Sequence, residues 1–300
     1  MTIKVSGLKH GDRIGVIAPA GPVTPSEIRP GIQALESAGY RVVASPHLYD
    51  RQDYLAGADT ARLKDLHAVI EDPEIKAVIC ARGGYGTLRL LEKIDYDLIR
   101  SNPKILVGYS DITALLWAVY TKTGLVTFHG PMVKDLTKNN NQNLNNLLHV
   151  ISSDRFRTLN LRDGVGIKPG RARGVLLGGN LCLMTHLVGT PFMPTLKGAI
   201  LFIEERGEPL YRIDRMITHL GISGHFAGLA GVIAGDFTDC GEPDAIYRIL
   251  ADILSDFEIP VVGGLPVGHG LKNNVLPIGA QALLDADRMT LSITEPYVHP

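Results

Sequence analysis

Ile105-Leu106-Val107-Gly108-Tyr109-Ser110-Asp111-Ile112-Thr113-Ala114-Leu115-Leu116 sets a serine between an apolar run and a helix-like segment. The run reads as a buried strand, and the segment after Asp111 as a helix packed against it. A serine at such a turn stands clear of the backbone, and the free N–H groups of the new helix can stabilise an oxyanion. Gly108 to Asp111 alone are equally compatible with Ser110 as an ordinary helix cap.

The same rhythm extends in both directions. Ile14-Gly15-Val16-Ile17, Arg41-Val42-Val43-Ala44 and Ala77-Val78-Ile79-Cys80 read as strands, with helices over 26–38, 60–70 and 87–94. Strands buried on both faces and separated by helices predict an N-terminal α/β domain with a doubly wound, mostly parallel sheet. Ligands gather at the carboxyl ends of such strands. Three loops lie there: Pro19 to Pro22, Arg82-Gly83-Gly84-Tyr85-Gly86, and the Ser110 turn.

The asparagine-rich stretch 139–143 reads as a polar loop entering a helix over 144–150. Residues 152–173 are rich in glycine and charge with little periodicity, which suits a linker between a domain at 1–151 and another at 174–300. The second half begins with Val175-Leu176-Leu177-Gly178-Gly179-Asn180 and continues with strands over 199–203, 231–234 and 260–262 and a helix over 211–220. It ends in a hairpin formed by 282–284 and 289–293, which predicts a smaller α/β domain with a mixed sheet.

The chain has 300 residues, 45% of them hydrophobic and 20% charged, with a net charge of −1. That balance is globular and argues against a nucleic-acid or polybasic membrane partner, which would draw on counterion release. The N-terminus lacks a signal-peptide core and no run reaches spanning length, so the expected location is cytoplasmic. Cys80, Cys182 and Cys240 are far apart and show no zinc spacing; Cys80 and Cys182 read as buried reduced thiols. Neither a metal nor a cofactor is expected.

A serine nucleophile needs a base, and the base needs an orienting group. Two histidines follow strands within glycine-containing turns: His269 in Val267-Gly268-His269-Gly270, and His129 in Phe128-His129-Gly130-Pro131. Glu204 is the first acidic residue beyond the strand Ile200-Leu201-Phe202-Ile203, where a fixed carboxylate would sit. A solvated charge cluster is the simpler account of Glu205 and Glu208. Adjacent glycines in the 82–86 loop let backbone N–H groups approach a ligand, so Gly84 and Asp111 amides could form an oxyanion hole. The third glycine of a dinucleotide fingerprint is missing there, with Arg89 in its place.

Taken together, these motifs resemble the LD-carboxypeptidases, serine peptidases that include the murein tetrapeptide carboxypeptidases. The resemblance covers most of the chain. It rests on 11–20, 81–86, 107–115, Phe128-His129-Gly130-Pro131-Met132, Gly178-Gly179-Asn180-Leu181, Ile203-Glu204-Glu205, 211–215 and Gly268-His269-Gly270. Motif for motif it implies Ser110 as nucleophile, Glu204 as carboxylate and His269, rather than His129, as base. It further implies a two-domain homodimeric hydrolase that cuts between a diamino acid and the terminal D-alanine of a peptidoglycan stem peptide, during cytoplasmic recycling of wall fragments. Arg82, Gly83, Tyr85 and Asn180 become candidates for binding a peptide or muropeptide, with Arg82 equally suited to bracing its loop. The family also contains microcin-immunity peptidases, so a peptidyl-nucleotide hydrolase using the same triad is the alternative. A peptide-binding protein without chemistry is the third reading.

Overall fold

The computed structural model describes residues 2–153, 158–161 and 163–299. The chain divides into two compact units. The first comprises Met1–Asp154, Asn274–Pro277 and Tyr297–Pro300, and the second Arg155–Asn273 and Ile278–Pro296.

In the first unit the elements follow as β1 (Val5–Ser6), β2 (Arg13–Ile17), α1 (Pro25–Ser37), β3 (Arg41–Ala44), α2 (Asp59–Glu71), β4 (Ile75–Cys80), α3 (Tyr96–Ser101), β5 (Ile105–Gly108), α4 (Ile112–Thr123), β6 (Thr127–His129) and α5 (Gln142–Ile151). Strands β6, β5, β4, β2 and β3 lie side by side in that order, all parallel. The order reverses between β2 and β4, which makes the crevice beyond their carboxyl ends the topological switch point of the sheet. Burial explains the apolar runs: every residue of β5 is buried, and α4 is buried from Ile112 through Val119. A helix apolar on nearly all sides belongs inside a core. By contrast α1 is amphipathic, burying Ile28, Gly31 and Leu35, and it opens on Pro25 with Glu27 accepting the Thr24 N–H at 2.8 Å.

The second unit continues with β7 (Thr158–Asn160), β8 (Val165–Lys168), β9 (Arg171–Asn180), α6 (Leu181–Leu187), β10 (Ala199–Arg206), α7 (Leu210–Ile222), β11 (Gly231–Thr238), α8 (Pro243–Ile253) and β12 (Val261–Gly263). Then come β13 (Leu276–Ile278), β14 (Gln281–Asp285), β15 (Thr290–Ile293) and β16 (Val298–His299). The eight-stranded sheet runs β7-β15-β14-β9-β10-β11-β12-β8. Its centre, β9 to β12, is parallel and its flanks are antiparallel, so the sheet is mixed. Ile200, Leu201, Phe202 and Ile203 of β10 are almost wholly buried, each contributing about 1.5–3 kcal/mol of apolar burial.

Two strands return to the first unit: β13 adds to its sheet beside β6, and β16 pairs in parallel with β1.

Three expectations change. The helix expected over 87–94 is instead a pair of 3₁₀ turns, Thr87–Arg89 and Leu91–Lys93, followed by extended Ile94. Thr87 commits its N–H to the Asp111 side chain, and Asp95 caps α3 by accepting the Leu98 N–H at 2.8 Å, so the chain is claimed from both ends. The stretch 152–173, expected as a connection, carries β7, β8 and the start of β9, whose exposed and half-buried residues show no apolar run. Cys80, Cys182 and Cys240 are free thiols; Cys182 is half-buried rather than buried, 3.5 Å from His186 Nδ1. No helix among the described residues is long and apolar enough to cross a membrane.

Candidate active site

Ser110 follows β5 with φ of 61°, a left-handed conformation that costs a non-glycine residue roughly 1–2 kcal/mol. The turn is closed by Thr113 N–H donating to the Ser110 carbonyl at 2.9 Å and Ile112 N–H to the Tyr109 carbonyl at 3.2 Å. Its hydroxyl makes no hydrogen bond to α4 among the described residues, and the residue at the cap position is Asp111. Ser110 is therefore displayed by the strained turn rather than spent as a cap.

The Arg82–Gly86 loop lies directly against this turn. A Cβ on Gly83 would fall 2.9 Å from both Cβ and Oγ of Ser110, so only glycine fits. The amides of Gly84 and Asp111 donate to no protein acceptor among the described residues, leaving two N–H groups free near the serine. Asp111 is buried and locks the two segments together. Its Oδ2 accepts the Thr87 N–H at 2.9 Å, while the Thr87 hydroxyl lies 2.8 Å from Oδ2 and 2.6 Å from the Asp111 carbonyl. Burial raises the Asp111 carboxyl pKa, an effect opposed by the bonds from Thr87 and Gly86 and by the charge of Arg62. Arg62, almost fully buried, donates to the Pro19 carbonyl and, at 3.0 Å, to the Gly86 carbonyl, joining the loops after β2 and β4.

Arg82 Nη1 donates to the Pro22 carbonyl at 3.3 Å and lies 4.0 Å from Glu27. Tyr85 is exposed at the loop tip. His129 is fully buried beneath the turn, its ring 5.7 Å from that of Tyr109, whose hydroxyl donates to Asp135 at 3.0 Å.

In the second unit, Glu204 near the end of β10 is completely buried. Its Oε2 accepts the Nδ1–H of His269 at 2.8 Å, which leaves Nε2 as the basic nitrogen. Its Oε1 has no protein partner among the described residues. Burial opposes the imidazolium, but the Glu204 hydrogen bond and the charges of Glu204 and Glu205 outweigh it, so the His269 pKa lies above the ordinary value. A Cβ on Gly268 would fall 2.5 Å from Glu204 Oε2, so the bare glycine is what lets the histidine turn settle on the carboxylate.

Glu205 faces a different task. Its carboxylate accepts from Asn180 Nδ2, Cys182 N–H and its own neighbour Arg206 N–H, each at 2.8 Å. Asn180 also caps α6 by accepting the Leu183 N–H at 3.2 Å, and it is buried. These contacts occupy both residues in joining β9, α6 and β10.

Several participants were not visible in the sequence. Asp236 on β11 accepts the Gly270 N–H and faces the charges of Glu204 and His269; burial, followed by the Glu204 charge, raises its pKa to about 6. Nothing in Gly235-Asp236-Phe237 signals this, because the partners come from another strand and a distant turn. Arg62 and Thr87 likewise have the look of ordinary surface residues. Among the described residues no group of three His, Cys, Asp or Glu side chains is arranged as a metal centre.

A hydroxyl on a strained strand–helix turn, free amides beside it, and a buried carboxylate–imidazole pair are the parts of a serine hydrolase. Residues 14–130 match the LD-carboxypeptidase N-terminal domain and residues 173–284 the LD-carboxypeptidase C-terminal domain, and the chain belongs to that family. It is accordingly a serine peptidase hydrolase. A Bacillus subtilis (strain 168) protein named "Probable murein peptide carboxypeptidase" is 38% identical, over 98% of this chain and 95% of its own length. The crystal structure of an MccF-like protein from Bacillus anthracis superposes with a TM-score of 0.93 at 29% identity, covering 98% of this chain and 100% of that one. Muramoyltetrapeptide carboxypeptidase from Oxalobacter formigenes gives a TM-score of 0.85 at 31% identity, covering 96% and 100%.

Proposed function

We propose that the chain is a carboxypeptidase that hydrolyses the L,D-amide bond between a diamino acid and the terminal D-alanine of peptidoglycan stem tetrapeptides, with Ser110, His269 and Glu204 as its triad. The observation that carries this reading is the 2.8 Å hydrogen bond from His269 to the buried Glu204. It fixes the imidazole tautomer whose Nε2 can take a proton. The similarity to murein and muramoyltetrapeptide carboxypeptidases supports the substrate class.

His269 Nε2 accepts the Ser110 proton as Oγ attacks the scissile carbonyl. The amides of Gly84 and Asp111 receive the oxyanion, each worth on the order of a hundredfold or more in rate. His269 then protonates the departing D-alanine nitrogen, and water, deprotonated in turn by His269, resolves the acyl-enzyme. Glu204 stabilises the imidazolium at both stages. Homodimer formation and a place in cytoplasmic wall recycling belong to the same reading.

The test is mass spectrometry of synthetic L-Ala-γ-D-Glu-diamino acid-D-Ala with wild type and Ser110→Ala. Release of D-alanine by wild type alone supports the reading, and turnover by Ser110→Ala at the wild-type rate overturns the mechanism. The likeness to the MccF-like protein favours a second reading, hydrolysis of a peptidyl-nucleotide by the same triad. If only peptidyl-nucleotides are cleaved, that reading replaces the first.

A further inference from the structure

The first unit contains a cleft of about 770 Å³ at the switch point of its sheet. Its walls include Arg51, Asp53, Tyr54, Arg82, Gly84 and Tyr85. One wall is the loop after β4, whose Gly83 touches Ser110; the other is a tight turn after β3. In that turn Gln52 and Leu55 exchange both backbone hydrogen bonds at 2.9 Å, with Asp53 left-handed at φ of 53°. Leu55 is buried and the Ala56 N–H donates to the Ala20 carbonyl at 2.9 Å, so the turn is pinned to the loop after β2. Arg62 pins the opposite loop to the same place.

This rigid frame displays side chains that the fold itself does not use. Tyr54 and Tyr85 are 61% and 45% exposed and meet edge-on, ring centroids 5.6 Å apart. Arg82 is already engaged by Pro22 and Glu27, whereas Arg51 forms no ion pair among the described residues. A free guanidinium beside an aromatic pair suits a carboxylate flanked by apolar or ring-bearing groups. Asp53 on the same turn disfavours a polyanion such as a nucleotide phosphate.

Volume indicates which part of the substrate fits. A cleft of this size accommodates a ligand of several residues, far more than a single departing alanine. Resting on the proposed function, we propose that this cleft binds the acyl side of the stem peptide. Arg51 pairs with the free α-carboxylate of the γ-linked glutamate preceding the diamino acid, and Tyr54 and Tyr85 pack along the neighbouring chain.

The test is calorimetric binding of the tripeptide L-Ala-γ-D-Glu-diamino acid, compared with the same tripeptide amidated at the glutamate α-carboxylate. Wild type is expected to bind the free acid about tenfold more tightly, the scale of one charge-assisted hydrogen bond. Arg51→Gln should bind both forms equally at the weaker level, Arg51→Lys should restore part of the preference, and Tyr54→Ala should weaken both forms alike. Retention of the full preference by Arg51→Gln, or no binding of either form by wild type, overturns the proposal. Tetrapeptide hydrolysis is followed in parallel. Cleavage without Arg51-dependent discrimination removes the cleft assignment alone, and discrimination in binding without cleavage removes the hydrolase reading alone.

Discussion

Thr87 holds Asp111 by two contacts at once, its N–H 2.9 Å and its hydroxyl 2.8 Å from the same carboxylate oxygen. This pair fastens the glycine loop to the serine turn, so it sets where the free amides stand relative to Ser110. Thr87→Val keeps the shape but leaves a buried acceptor with one donor fewer. The expected cost is about 1–3 kcal/mol in urea denaturation, with kcat falling about tenfold and Thr87→Ser restoring most of both. Unchanged kcat in Thr87→Val would mean that the amides are positioned by other contacts.

The left-handed conformation of Ser110 predicts a stability difference between two inactive variants. Glycine adopts φ of 61° readily and alanine does not. Ser110→Gly should be more stable than Ser110→Ala by about 1 kcal/mol, read from denaturation midpoints at equal slope. Equal midpoints would show that the turn carries no strain.

His269 carries a pH prediction. As the base it must be neutral, and its pKa is raised, so the acid limb of kcat/KM should lie above the ordinary histidine value of about 6.5. Glu204→Gln removes the charge that outweighs burial; the limb should move to lower pH and kcat should fall on the order of a thousandfold. The linked stability has the matching sign. It is fully present below the unfolded pKa and is lost as pH rises through the higher folded one. An acid limb that stays in place in Glu204→Gln would separate this carboxylate from the imidazole.

Asp236 behaves oppositely to a paired carboxylate. Its folded pKa of about 6 exceeds the ordinary 3.8, so the native state holds this proton more tightly. The associated stability is present below pH 3.8 and lost as pH rises through 6. Asp236→Asn keeps an acceptor for the Gly270 N–H and removes the charge facing Glu204. It should be more stable than wild type at pH 7.5, with the difference vanishing near pH 3.5, and its acid limb should shift modestly downward. A variant less stable at both pH values would mean that the carboxylate acts chiefly as a structural acceptor.

The parts legible in the sequence are those decided by local pattern. Strands β2, β4 and β5 contain the apolar runs 14–17, 77–80 and 105–107 because both faces of a parallel sheet are covered, and the serine turn announces itself by sitting between β5 and α4. The glutamate at the end of β10 and the glycine-flanked histidine were likewise visible as loop chemistry. What escaped depends on distant partners. The 3₁₀ turns at Thr87–Arg89 follow from a bond to Asp111, 24 residues away. Strands β7 and β8 are short edge strands with little apolar content, and pairing rather than composition makes them strands. Asp236 is one polar residue in a strand until Gly270 and Glu204 are placed around it.

The pairing of β1 with β16, and the addition of β13 beside β6, bear on the order in which the protein matures during translation. The first domain to leave the ribosome is not the first that can finish. Until residues 276–299 have been synthesised, β6 keeps an open edge and β1 has no partner, a condition that favours chaperone capture and edge-to-edge association. The serine-bearing half therefore gains the last strand of its sheet only from residues 276–278, beyond the His269 turn, and the partner of β1 only from residues 298–299, so a nascent chain released early lacks a finished nucleophile domain.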